Sequence, residues 1–425
     1  MGLLRGLLAL LLVLVAVPQL GAYSVLTHEQ VIDLAWQDQL QPLLLARYPG
    51  TTPDQLKRAH AFAYGGSVVQ DMGYYPFGNK YFSDLLHYVR SGDFVTALLR
   101  DANDVNEYAF ALGALAHYSS DNMGHPTINR VTSIEFPKLH RKYGSEVTYA
   151  DNPKAHIRTE FGFDMVQVAK NRYTSDRYHD FIGFEIAKPL LERAFLETYG
   201  LKLSDVLGDE DMAIGSFRRA ISKVIPEMTR VALINRRADL VREIPNFNQK
   251  KFLYHVSRSN YEKEWGKGYR RPGIGSRILA FLLRIIPKVG PATALDFKVP
   301  NAKTEDMYIK SVNETIDDYR SLMARVSHSN LKFVNLDCDT GREPARSEYS
   351  LADKTYARLL HDLDDKNFAQ LTPELQQNVL AFYSAPAPEH PAKKDKNFLR
   401  TQRELEALKA WKGPQPALSS SLACY

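Results

Sequence analysis

The chain has 425 residues, of which 44% are apolar and 24% charged, and its net charge is +5. That apolar share excludes a disordered chain, the lack of a repeat of about 20–50 residues excludes a solenoid, and so small and interleaved a charge gives no footprint for duplex nucleic acid. Two cysteines, Cys338 and Cys424, exclude a disulfide scaffold and a cysteine-rich zinc module, so any bound metal must be held by nitrogen and oxygen.

In chain order, the first element reads as an address. Arg5 is the only early charge, and the apolar run from Leu7 to Val17 is too short to span a bilayer before Pro18 interrupts it. Small residues at Gly21 and Ala22 precede Tyr23. Residues 1–22 therefore read as a cleaved signal peptide, and the mature chain as a secreted or periplasmic protein. An uncleaved anchor helix fits this length poorly.

Helical patterns dominate the rest. Thr27 with Gln30 makes a predicted capping box that opens a helix reaching about Tyr48. The alanine-rich stretch from Asn103 to Met123, carrying Tyr108, Phe110, Leu112 and Leu115, predicts a buried helix stopped by Gly124 and Pro126. Asn152 and Pro153 form the N-cap and first turn of a helix running to about Lys170. Further helices are predicted over 178–198, 213–240, 303–329, 351–363 and 373–383, and alternating strands are scarce, so the expected class is all-α. The expected organisation is a catalytic core over 23–200 and a helical continuation or second subdomain over 201–383. A Pro- and Lys-rich linker, a short charged helix and a polar tail then fill 384–425.

The chemistry is concentrated early: seven of the twelve histidines lie in the first 160 residues. His117 and Asp121 stand four apart and share a helix face, His125 follows, and His156 with Glu160 repeats the spacing. Such pairs suit zinc, which takes imidazole nitrogen and carboxylate oxygen. One pair alone is common on ordinary helix surfaces. Two pairs and His125, set in alanine- and aromatic-rich helices where an unpaired charge is costly, carry more weight. Upstream, His28 sits in the first turn of the first helix. Asp71 ends the stretch from Gly65 and precedes an aromatic loop, and His87 ends Phe82–His87. Together these groups are enough for more than one metal.

Taken in order, Tyr23-Ser-Val-Leu-Thr-His28, Gly65–Asp71, Phe82–His87, His117-Tyr-Ser-Ser-Asp121-Asn-Met-Gly124-His125-Pro126 and His156-Ile-Arg-Thr-Glu160 resemble the zinc-dependent phospholipase C family. That family is related in fold to the secreted single-strand-specific fungal nucleases and to the catalytic domain of the glycosylphosphatidylinositol-specific phospholipase D. The resemblance implies an all-helical fold around about three zinc ions. It implies that Asp71, His87, His117 and Asp121 hold one zinc, and that His125, His156 and Glu160 hold a second. The third falls to His28, Asp121 and the freed amine and carbonyl of Tyr23, where the family usually carries Trp. Asp71 is implied to be catalytic as well, orienting or deprotonating the attacking water. The implied substrate is a phospholipid or related phosphodiester.

Two other readings compete. One is a single-strand nuclease on the same core, with Tyr74, Tyr75 and Phe77 stacking bases; the other is a non-catalytic binding protein that zinc merely folds. Residues 270–290, an apolar run edged by Arg and Lys and ended by Pro287, read either as a buried helix or as an interfacial helix making peripheral contact with anionic lipid. Gly268–Gly273 and Asp337-Cys-Asp-Thr-Gly341 resemble features of a longer bacterial subfamily and carry no assigned role.

Overall fold

In the computed structural model, the described residues are 25–169, 184–221, 297–328, 331–385 and 396–413, with the single positions Asp239 and Arg242. Tyr23 and residues 270–290 lie outside them. Among the described residues the chain is all-α: its one β feature is an isolated bridge between Asp337 and Arg342. No described helix is long and apolar enough to cross a membrane.

The axis of the fold is a helix of 31 residues, Val105–Glu135, numbered α6 in chain order. Asp104 starts it, its carboxylate accepting the backbone N–H groups of Asn106 and Glu107 at 2.8 and 2.9 Å. Nearly all of its length from Tyr108 to Ser133 is buried. Before it come α1 (Val25–Ala35), α2 (Gln41–Arg47), α3 (Pro53–Ser67), a 3₁₀ turn over Val69–Tyr74, α4 (Lys80–Tyr88) and α5 (Ser91–Asp101). After it come α7 (Pro137–Tyr143), α8 (Pro153–Ala169), α9 (Lys188–Tyr199), α10 (Leu203–Leu207) and α11 (Glu210–Arg219). The C-terminal part adds α12 (Ala302–Ser327), α13 (Ser350–Asp365), α14 (Pro373–Phe382) and α15 (Lys396–Ala410).

Two helices sandwich α6. On one side α3 crosses it through Gly66 and Gly113: a Cβ on Gly66 would overlap the Phe110 carbonyl, and one on Gly113 the Ala63 carbonyl. Only glycine lets two backbones approach this closely. On the other side lies α12, whose Tyr319 hydroxyl donates to the Leu112 carbonyl at 2.9 Å. A single apolar cluster runs from Val25 to Leu408, so residues at both ends of the described chain share one core.

Three local expectations are corrected. The helix predicted to stop at Gly124 and Pro126 continues through both to Glu135. Pro126 has no N–H, so the Asn122 carbonyl loses its helical bond; burial against the rest of the fold outweighs that loss. Thr27 is no cap, because it stands inside α1 and its buried hydroxyl donates to Asp164 on α8 at 2.7 Å. With that proton committed, the Tyr308 hydroxyl of α12, 2.6 Å away, donates to Thr27. The single helix predicted to Tyr48 is broken by a π-turn over Trp36–Leu40, just before Pro42 near the start of α2. A proline there removes a helical donor and the wider turn accommodates it. The Asn152 cap forms as predicted, accepting the Ala155 N–H at 2.9 Å.

Candidate metal centre

Five elements bring the expected ligands together. His28 comes from α1, Asp71 from the 3₁₀ turn, and His87 from the last turn of α4. His117, Asp121 and His125 line one face of α6, and His156 and Glu160 one face of α8. All eight are buried, none more than 3% exposed. They form three groups whose ligand atoms each lie within 4.8 Å of one another: His28, His117 and Asp121; Asp71, His87 and His117; and His125, His156 and Glu160. Tyr23, the ninth residue implied, lies outside the described residues.

Two rings have their tautomer set by the backbone. His87 Nδ1 lies 2.7 Å from the Ser83 carbonyl and His117 Nδ1 lies 2.9 Å from the Ser67 carbonyl. A carbonyl only accepts, so Nδ1 carries the proton and the neutral ring turns its Nε2 lone pair inward. His87 Nε2 then stands 3.4 Å from Asp71 Oδ1 and 3.2 Å from Asp121 Oδ2, and 3.4 Å from His117 Nε2. His117 Nε2 is 3.0 Å and His28 Nε2 3.6 Å from the two oxygens of Asp121. In the other group, His156 Nε2 is 2.7 Å and His125 Nε2 3.9 Å from Glu160 Oε1.

These separations test whether the donors fit zinc. Ligands about 2.1 Å from a tetrahedral ion are separated from each other by about 3.4 Å. Most of the contacts above cluster near that value. Both oxygens of Asp121, and Oε1 of Glu160, approach nitrogens without forming an aligned hydrogen bond. Groups that face each other this closely and unaligned could hold a cation between them. The donors fit a zinc cluster, with His117 common to two groups and Asp121 facing His28, His87 and His117.

The electrostatics are those of acids and imidazoles buried side by side. Burial pushes Glu160 well above the usual carboxylate range, and Asp71, Asp121 and Asp339 push it further. Burial also raises Asp71. Burial would raise Asp121 too, but His117 and His125 outweigh it and hold that carboxyl well below its ordinary value. Burial lowers His156, with His125 adding to the effect, to about 3. For His87 burial is outweighed by Asp121 and Asp71, and for His125 by Asp121 and Asp339, so both are raised.

Sequence reasoning missed the contribution of Asp339, which stands 2.8 Å from His125 Nδ1. The motif from Asp337 to Gly341 was visible, but not that it reaches back to α6. Of the aromatics expected to stack bases, Tyr74 and Tyr75 are buried, Tyr75 edge-on to Phe217, and only Phe77 is exposed. Residues 27–206, which contain every ligand described, match a family described as zinc dependent phospholipase C. No curated protein and no solved structure matches the chain.

Proposed function

From the match of residues 27–206 to the zinc dependent phospholipase C family, we propose that the protein hydrolyses a phosphodiester bond of a phospholipid at a cluster of about three zinc ions. The observation that carries this reading is the gathering of three buried ligand groups, two of them meeting where Asp121 faces His28, His87 and His117 at 3.0–3.6 Å. Bound zinc supplies Lewis acidity toward a phosphoryl oxygen and lowers the pKa of a bound water. The chain supplies the rest. Asp121 and the imidazoles of His28, His87 and His117 hold the charges of one half of the centre. His125, His156 and Glu160 hold the other. Asp71, whose proton affinity burial raises, orients the attacking water and accepts its proton.

Export completes the site in this reading. Cleavage after Ala22 would free the Tyr23 amine as a further donor, whereas the amide of a precursor is a poor ligand. Asp164 supports it by accepting the Leu26 N–H at 3.2 Å and the Thr27 hydroxyl, which pins the backbone immediately before His28. N-terminal sequencing of the secreted protein should begin at Tyr23, and a start elsewhere would sink the amine–zinc arrangement. Contact with lipid is assigned to residues 270–290: Phe281→Asp should impair hydrolysis of vesicles while sparing a short soluble phosphodiester. The deciding experiment is turnover of a chromogenic phosphodiester and of a phosphatidylcholine vesicle, each with and without chelator. Activity abolished by chelator and restored by zinc is expected. A protein that binds zinc yet turns over neither substrate would leave the non-catalytic reading in its place.

A further inference from the structure

The residues that hold the second ligand group do not end at residue 206. His125 uses both ring nitrogens. Its Nε2 faces Glu160 and Asp121, each at 3.9 Å, while its Nδ1 faces Asp339 Oδ1 at 2.8 Å, off the line of an ideal N–H···O bond. The other two rings with an anchored Nδ1, His87 and His117, rest on backbone carbonyls. His125 alone of the three rests on a full negative charge, and that charge comes from more than 200 residues away in the chain.

Asp339 is itself held rigidly. The Tyr88 hydroxyl donates to its Oδ2 at 2.8 Å, and the Tyr349 hydroxyl donates to the same oxygen. Its backbone carbonyl accepts from Asn129 Nδ2 of α6 at 2.9 Å, and its N–H donates to Asp337 Oδ1 at 2.9 Å. The next residue back, Cys338, donates its N–H to the carbonyl of His87 at 3.0 Å. Gly341 closes the loop with φ of +67°, where an added Cβ would lie 2.7 Å from the Asn122 carbonyl that Pro126 leaves without its helical partner. His87 and Tyr88 of α4 and Asn129 of α6 seat this loop on two helices that carry candidate ligands.

We propose that Asp339 is a positioning residue of the metal centre: it fixes the His125 ring with Nε2 directed at Glu160 and Asp121, and its charge makes that nitrogen a stronger donor to zinc. The inference rests on the zinc reading above and extends it to a residue outside 27–206. A carboxylate behind a metal-bound imidazole orients the ring and raises its basicity, and losing such a partner typically weakens metal binding about 10–100-fold.

The test uses the full chain carrying Asp339→Asn, which keeps the shape and removes the charge, and separately Tyr349→Phe, which removes one of the two hydroxyls that hold Asp339. Zinc retained against graded chelator is counted by metal analysis, and cobalt-substituted protein is read by its visible absorption. We expect Asp339→Asn to weaken one zinc about 10–100-fold, leave the remaining zinc at wild-type affinity, and shift the cobalt bands. Tyr349→Phe should act in the same direction and less. Wild-type zinc affinity together with unchanged cobalt bands in Asp339→Asn would overturn the proposal; if that variant does not fold, the same result in Tyr349→Phe overturns it. Zinc-binding wild type with an indifferent variant refutes this inference alone, whereas a wild type that takes up no zinc refutes the proposed function and this inference with it.

Discussion

Asp121 sets its two oxygens against His28, His87 and His117 at 3.0–3.6 Å, in a position from which water is excluded. Removing it leaves three imidazoles facing one another with no anion between them. Asp121→Ala should therefore lose more than one zinc and destabilise the loaded protein by about 3–5 kcal/mol, the usual cost of stranding a buried charge; metal analysis and urea unfolding check both. Asp71→Asn is expected to differ in kind, lowering turnover about 10²–10⁴-fold with little change in melting temperature. A second consequence concerns protons. Burial raises Glu160, while Asp121 outweighs burial to raise His87 and His125, so all three favour their protonated forms when metal-free. Zinc takes the deprotonated forms. Zinc uptake near pH 7 should therefore release protons, and affinity should rise from pH 5 to pH 8. Calorimetry in two buffers of different ionisation enthalpy measures the release; a binding heat independent of buffer would contradict it.

At the level of elements, the α3–α6 crossing does two jobs at once. It packs the core through Gly66 and Gly113, and it delivers the Ser67 carbonyl to His117 Nδ1. Gly113→Ala should push α3 outward, cost about 1–3 kcal/mol by overpacking, and weaken zinc binding because the carbonyl no longer holds the ring. Unchanged zinc affinity alongside a lowered melting temperature would separate packing from ring orientation. The shared faces of the candidate ligands were legible in the sequence because a four-residue spacing on a helix is a local fact: His117 stands with Asp121 and His156 with Glu160. The Ser67 carbonyl was not, since any residue carries one and only the crossing selects which is used, whereas the Ser83 carbonyl stands one turn before His87 on the same helix. Pro126 misled for a related reason. Local chemistry says stop, but α6 is enclosed by α3 and α12, and that burial is invisible within any short window. Thr27 looked like a cap for the same reason; its partners, Asp164 and Tyr308, lie 137 and 281 residues away.

Over the described residues of the whole molecule, the matched segment and the part that follows it share a large apolar core. Tyr308 reaches Thr27, Tyr319 reaches Leu112, and the Tyr118 hydroxyl donates to the Val334 carbonyl at 2.7 Å. A chain ended after residue 221 should accordingly fail to unfold cooperatively and should expose apolar surface to a dye such as ANS; a sharp transition in that fragment would show the core to be divisible. Cys338 adds a different kind of consequence. Its thiol is buried beside the centre, where burial, Asp121 and Asp337 all raise its pKa, so it stays protonated and unreactive while the loop is seated. The side chain is thus a clock: a thiol reagent modifies it only at the moments when the loop lifts from His87 and Asn129. Labelling should be slow, slower again with zinc bound, and its rate would count the openings of the centre one molecule at a time.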